Sequence, residues 1–253
     1  MSRTAYYYEP DATKDQLVVD ALLAAVERYP RYGFKKLFVK LRQLGFAWNH
    51  KRVHRIYCML KLNLKRKGKK RLPTRMAISL VIPNAINKTW SADFMSDGLM
   101  CGRKFRTFNV VDDFNREALA IEVDLSLPAQ RVICVLDNIA SSRGYPDAVR
   151  LDNGPEFISE ALADWAVLHG VKLQFIQPGK PTQNSFIERF NRTFREEVLD
   201  FYLFKNLNEI RQISEQWLMQ YNEERLHESL GNMSPNQYKL KYSQSVDSTN
   251  LWH

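Results

Sequence analysis

The chain has 253 residues, 45% of them hydrophobic, with 37 Lys and Arg against 28 Asp and Glu for a formal charge of +9. That is enough chain for one large domain or two small ones with a sizeable core. With no run of about 18 apolar residues a membrane span is excluded, and the opening MSRTAYYYEPDATKDQ lacks the basic-then-apolar pattern of a secretory signal, so the cytoplasm is the expected location.

In chain order, the first pattern is helical. Residues 14–28 (KDQLVVDALLAAVER) place apolar side chains at helical spacing until Pro30 and Gly33 interrupt them. A second helix is predicted from Phe34 to about Leu44, closed by Gly45, and Asn49 is placed to cap a third, His50 to about Leu62. Helix, short turn and helix is the layout of a helix-turn-helix, with Lys51, Arg52 and Arg55 on the third helix as candidate DNA contacts. The alternative is a three-helix packing unit with a solvated outer face. His50, His54 and Cys58 share a stripe on that helix. Without a second pair of ligands, zinc is not expected.

Charge is distributed unevenly. Residues 1–85 hold 19 Lys and Arg against 5 Asp and Glu, a balance of +14, and the remainder is −5. A cationic front section attracts polyanions, DNA above all. The stretch KLNLKRKGKKRLPTR, residues 61–75, reads as a basic linker that Pro73 keeps from forming one helix. The organisation expected is therefore a DNA-binding module over 1–62, a basic linker over 63–86 and a catalytic core over 87–245. The three cysteines, Cys58, Cys101 and Cys134, show no CxxC spacing and are expected to be reduced thiols, buried or neutral in role.

From Thr89 the period changes. Strands are predicted at Thr89–Met95, Phe105–Asp112 and Leu119–Leu125, then a helix at Pro128–Ser142 and a strand at Ala148–Asp152. A helix at Ser159–His169, a strand at Lys172–Ile176, a long helix from Gln183 and another at Leu207–Glu224 complete the run. Three strands followed by alternating helix and strand is an α/β arrangement in the order of the ribonuclease H-like fold. Trp90, Trp165 and Trp217 are expected in the core.

Three acids stand out. Asp93 lies inside a strand between bulky apolar residues, where an acid is costly unless it is paired or binds a cation. Asp152 ends a strand at a DNG turn, and Glu188 sits early on a helix. Fifty-eight residues separate the first two and 35 the last two. Carboxylates at strand ends and a helix start can converge, and oxygen ligands suit magnesium or manganese. Asp112 and Asp113, in VVDDFNR, compete for notice but read better as a structural turn.

The segments WSADFM, NVVDDFNREAL, LDNGPEFIS, QPGKPTQNSFIERFNRTFREEVLD and YNEERLHESLGNMSPNQY resemble, in order and spacing, the second-frame (OrfB) transposases of the insertion-sequence 3 family, and more distantly retroviral integrases. That resemblance implies a DDE-type transposase acting on transposon ends and target DNA. Asp93, Asp152 and Glu188 would be the catalytic and metal-binding triad, holding two Mg²⁺ or Mn²⁺ ions. It also implies a homo-oligomer on DNA and a partner in the upstream-frame (OrfA) product, since no leucine zipper is present here. Without that partner, a catalytically incomplete DNA-binding regulator is the alternative. Leu226 stands where relatives commonly have proline. Near Glu188, Asn184, Asn191, Arg192 and Arg195 share roughly one helix face. Asn184, Arg192 and Arg195, with Lys180 of the preceding loop, are the expected DNA contacts, and Gln183 lies in the same loop. His227 is read as structural or DNA-contacting rather than as a general base.

Overall fold

The computed structural model describes residues 15–64, 82–154, 156–177 and 181–249, except for the side chains of 181–182 and 243–249. Lys180 and most of the basic linker lie outside the described residues. The chain divides into two compact units, residues 1–73 and 74–253, and the division falls within the segment read as a linker. Among the described residues no helix is long and apolar enough to cross a membrane.

Among its described residues the first unit has three helices: α1 (Gln16–Arg28), α2 (Phe34–Gln43) and α3 (His50–Met59). Val18, Leu22 and Ala25 form the buried stripe of α1 at the four- and three-residue steps of a helix face. They pack on Leu37 and Leu41 of α2 and on Val53, Ile56 and Tyr57 of α3. α2 stops because Gly45 takes φ +91°, which lets Phe46 N–H donate back to the Leu41 carbonyl at 3.1 Å. α3 starts as the sequence predicts, with the Asn49 side chain accepting from the Lys51 amide at 2.8 Å. His50 and His54 stand edge-on to Phe34, packing as aromatic rings.

The second unit contains strands β1 (Thr89–Gly98), β2 (Lys104–Asp112), β3 (Ala118–Asp124), β4 (Ala148–Leu151) and β5 (Lys172–Phe175). They form one sheet in the order β3-β2-β1-β4-β5. β1 runs antiparallel to β2 and parallel to β4, and so lies at the centre. Both of its faces are covered. Trp90 and Ala92 enter a core with α4 (Ala129–Arg143) and α5 (Glu160–His169). Met95 faces the opposite core, built with α6 (Ser185–Phe194) and α7 (Leu207–Glu224). The result is the three-layer sandwich expected of this strand order. Trp90, Trp165 and Trp217 are all buried, and each indole N–H donates to a neighbour: Asn87, Asp137 and Glu197.

Several expectations change in detail. β1 continues three residues beyond Met95. The long helix from Gln183 is three pieces: a 3-10 turn at Pro181–Asn184, α6, and a π-type turn at Arg195–Leu199. A final helix, α8 (Pro235–Thr249), follows a bridge between His227 and Met233. Leu226 is buried beside that bridge. The three cysteines are exposed, on the outer sides of α3 and α4 and at the β1–β2 hairpin.

Asp112 and Asp113 are fully buried, and structural partners consume both. Asp112 accepts from the Asn87 and Phe114 amides and from Arg143. Asp113 accepts from Ser91 Oγ and from Arg150 Nη1, each at 2.6 Å. Burial still pushes the Asp113 carboxyl up to about 6. Arg150→Met would strand that charge until it took up a proton, so we expect a loss of about 1–2 kcal/mol at pH 7 in denaturant titration. The loss should shrink below about pH 6, where Asp113 takes up a proton, and the double variant Asp113→Asn/Arg150→Met should recover most of it.

Candidate active site

Asp93 is the anchor. It pairs in register with Asn109 of β2, on the face of β1 that looks toward α6. Its Oδ1 accepts from the Phe94 amide and its Oδ2 from Asn191 Nδ2, both at 2.8 Å. Asn191 is in turn gripped by Asn109, whose Nδ2 donates to Asn191 Oδ1 at 2.7 Å. Burial pushes the Asp93 carboxyl up to about 6. The two hydrogen bonds oppose the rise, while the charges of Asp152 and Glu188 add to it. Both other acids of the triad thus act electrostatically on Asp93.

Asp152 follows β4, the parallel neighbour of β1, so two acids leave adjacent strands near one edge. Its Oδ1 accepts from the Gly154 amide at 2.9 Å. A Cβ at residue 154 would stand 3.0 Å from that oxygen, so glycine is what lets the turn fold onto the carboxylate. Glu156, four residues after Asp152, is ion-paired to Arg106, and the Arg106 guanidinium lies 4.3 Å from the Phe94 ring centre. That pair ties the DNG turn to β1 and β2. Glu188 sits in the first turn of α6, half-buried, one turn before Asn191. Among the described residues no three His, Cys, Asp or Glu side chains are close enough to form a ready-made metal cluster. Asp152 and Glu188 reach Asp93 through their charges, and like charges repel without a counter-ion.

The basic residues divide. Lys51 and Arg192 are exposed. Arg52 Nε and Arg55 Nη2 both bond Asp15, at 2.8 and 2.5 Å, and so part of the cationic face of α3 is internally neutralised. Arg195 reaches Asp97 at 3.1 Å and the Ser96 carbonyl at 3.0 Å. Asn184 is only 3% exposed, with no hydrogen-bond partner for its Oδ1 among the described residues, and does not lie on an open face. Asn191, read with the DNA-facing stripe, is buried as the support of Asp93. Gln183 accepts from the Gln177 amide across the loop. His227 stands edge-on to the buried Tyr221 ring. Sequence reasoning missed Asn109 and the Arg106–Glu156 pair. A polar Asn in the apolar run FNVV, opposite an acidic strand position, was the available signal for the first.

The chain matches the integrase core domain family over residues 83–181 and, in a second form, over 169–235, and the HTH-like domain family over 13–70. It is 39% identical, across 98% of its length and 90% of the relative's, to the insertion element IS407 uncharacterized 31.7 kDa protein of Burkholderia multivorans. Identity is 24% to the putative transposase InsK for insertion sequence element IS150 of Escherichia coli K12, covering 93% of this chain and 88% of that one. Among solved structures, the simian T-cell lymphotropic virus intasome in complex with PP2A regulatory subunit B56 gamma aligns with a TM-score of 0.53 at 16% identity. The alignment covers 85% of this chain and 73% of that one, a likeness of fold alone.

Two outcomes follow from the geometry. The Asp93 carboxyl titrates near 6 in the fold against an ordinary value of 3.8, so the folded state holds the proton more tightly. The ionised carboxylate therefore costs stability above about pH 6, and the cost fades as pH falls toward 4. Asp93→Asn should be more stable than the parent by about 1–3 kcal/mol at pH 7, with the difference vanishing near pH 4. Lower stability of the variant at pH 7 in denaturant titration would contradict this. Second, Asp15→Asn should release Arg52 and Arg55. The slope of log affinity against log salt for duplex DNA should then steepen by up to about one for each arginine that gains a phosphate. An unchanged slope would mean that neither side chain reaches DNA.

Proposed function

Because the chain belongs to the second-frame transposases of the insertion-sequence 3 family, DNA transposases with an integrase catalytic core, we propose that Asp93, Asp152 and Glu188 are its catalytic residues. The observation that carries the reading is that half-buried Asp93, in the central strand, is held by Asn191 of the helix that carries Glu188 and lies beside the strand that leads into Asp152. Three carboxylates are a hard-oxygen donor set that fits Mg²⁺ or Mn²⁺, and we assign them two such ions. When bound, the pair of ions neutralises the scissile phosphate and acidifies the attacking hydroxyl.

The residues of this chain do the positioning. Asn191 and the Phe94 amide hold Asp93 against rotation. The Gly154 amide orients Asp152, and the Arg106–Glu156 pair holds its turn. Glu188, in the first turn of α6, supplies the third carboxylate from the helix. Arg192, exposed one turn further along the same face, is assigned to a phosphate near the cut, and Lys180 and Arg195 to flanking positions. Asn184 belongs to this set only if its loop opens on DNA. The attacking group is first water and then the 3′-hydroxyl freed at the transposon end, so no protein nucleophile is needed. Residues 1–62 bind transposon ends through Lys51, Arg52 and Arg55, residues 63–86 link them, and 87–245 perform the chemistry. Joining two ends requires at least two copies on DNA, and the upstream-frame product is the proposed protein partner.

Glu188→Gln should abolish cleavage and joining of labelled end DNA in Mg²⁺ or Mn²⁺ while DNA affinity stays within about twofold. Retained chemistry in that variant would remove Glu188 from the site. DNA binding without chemistry in the parent, with the upstream-frame product supplied, would instead mark a regulator.

A further inference from the structure

The β2–β3 hairpin hides an arginine. Arg116 is 9% exposed and takes φ +61°, a left-handed conformation that non-glycine residues adopt only when their surroundings enforce it. The hairpin enforces it here, with the Arg116 amide donating to the Asp112 carbonyl at 3.0 Å. The guanidinium is directed away from the hairpin and lies 3.5 Å from the ring centre of Phe186, in the first turn of α6. Its Nη1 is buried and has no hydrogen-bond partner among the described residues. A buried guanidinium nitrogen left without an acceptor is expensive. Asp112 and Asp113 exert some attraction on it, but both are already bonded elsewhere, to Arg143 and Arg150.

This guanidinium lines a cavity of about 220 Å³ between the hairpin, α6 and the segment after α7. Arg189, Ser185 and Ser229 line it too, and no carboxylate does among the described residues. Arg189 opposes the charge of Arg116, so two cations share the space. Arg189 and Ser229 are exposed at its mouth. The cavity lies on the flank of α6 next to the face that carries Glu188, since Ser185 and Arg189, three residues before it and one after it, lie within about 100° of it around the helix.

We propose that this cavity is an oxyanion site that takes a phosphate group of a DNA strand between the Arg116 and Arg189 guanidinium groups. The inference rests on reading the chain as a DNA-joining enzyme and adds a strand-holding site beside the triad. Arginine is suited to the task because its planar fork can give two parallel hydrogen bonds to phosphate oxygens. The open mouth on the α6 side admits a phosphate still attached to its strand. A closed cavity would admit only a free ion.

The test uses the full chain and duplex DNA, without divalent metal, over a range of salt concentrations. Arg116→Gln should lower the slope of log affinity against log salt by about 0.9, the loss of one phosphate contact. Ser229→Asp, a change at an exposed position, places a carboxylate at the cavity mouth where it can pair with the buried cation. It should lower the slope similarly and melt at or above the parent temperature, which separates lost binding from lost folding. The melting temperatures of the parent and of Ser229→Asp in inorganic phosphate show whether the cavity also takes a free ion. Unchanged slopes in both variants would overturn the proposal. Protection by inorganic phosphate together with unchanged slopes would also overturn it, assigning the cavity to a free ion. A lowered slope without such protection supports the strand phosphate. Strand cleavage by the parent and its loss in Glu188→Gln, measured on the same preparations, show whether the underlying enzyme reading stands when the slopes do not move.

Discussion

A carboxylate held inside the central strand of a covered sheet is the constraint around which the second unit is arranged. β1 is buried on both faces, so Asp93 cannot reach bulk water freely, and its ionised form is costly. The fold offsets part of that cost with the Phe94 amide and with Asn191. Asn191 lies on the helix that carries Glu188, three residues later. A single hydrogen bond between a strand and a helix 98 residues apart therefore also fixes α6, the helix that carries Glu188, against β1. Asn109 closes the bracket from β2. The remaining cost is what a divalent cation would relieve, because opposite charge favours the ionised carboxylate.

The same accounting applies to the positive charges. Two of the basic side chains of the front section are already engaged in the fold, because Asp15 pairs with two of the α3 arginines at once. Arg195 is similarly tied to Asp97. Exposed Lys51 and Arg192 are left to meet a polyanion without breaking a bond. Paired arginines can still bind DNA, by exchanging a carboxylate for a phosphate. That exchange makes their contribution dependent on the acid as well as on the salt.

Much of this was legible in the sequence because it is local or periodic. The strand and helix order follows from hydrophobic spacing and the Asn49 cap from its residue type; the proposed triad rests on acids near strand ends and a helix start together with the resemblance of the surrounding motifs. What escaped is non-local. Nothing near Arg52 or Arg55 points to Asp15, 37 and 40 residues away. The helix wheel put Asn184 and Asn191 on the Glu188 face, but that face is only partly open. Near β1 it is sealed, and Asn191 supports a carboxylate there. The cysteines were read from their usual preference for burial, which the outer positions on α3, α4 and the hairpin override. α8 follows a bridge and a tight turn, and its pattern in sequence is weakly amphipathic.

The most direct test of the account is the number of Mn²⁺ ions bound per chain, counted by the loss of the free-ion paramagnetic resonance signal. Two ions per chain with end DNA present, reduced in each of Asp93→Asn, Asp152→Asn and Glu188→Gln, is the predicted result. Full binding that survives all three substitutions, or no binding by the parent chain at any manganese concentration that supports its chemistry, would contradict it.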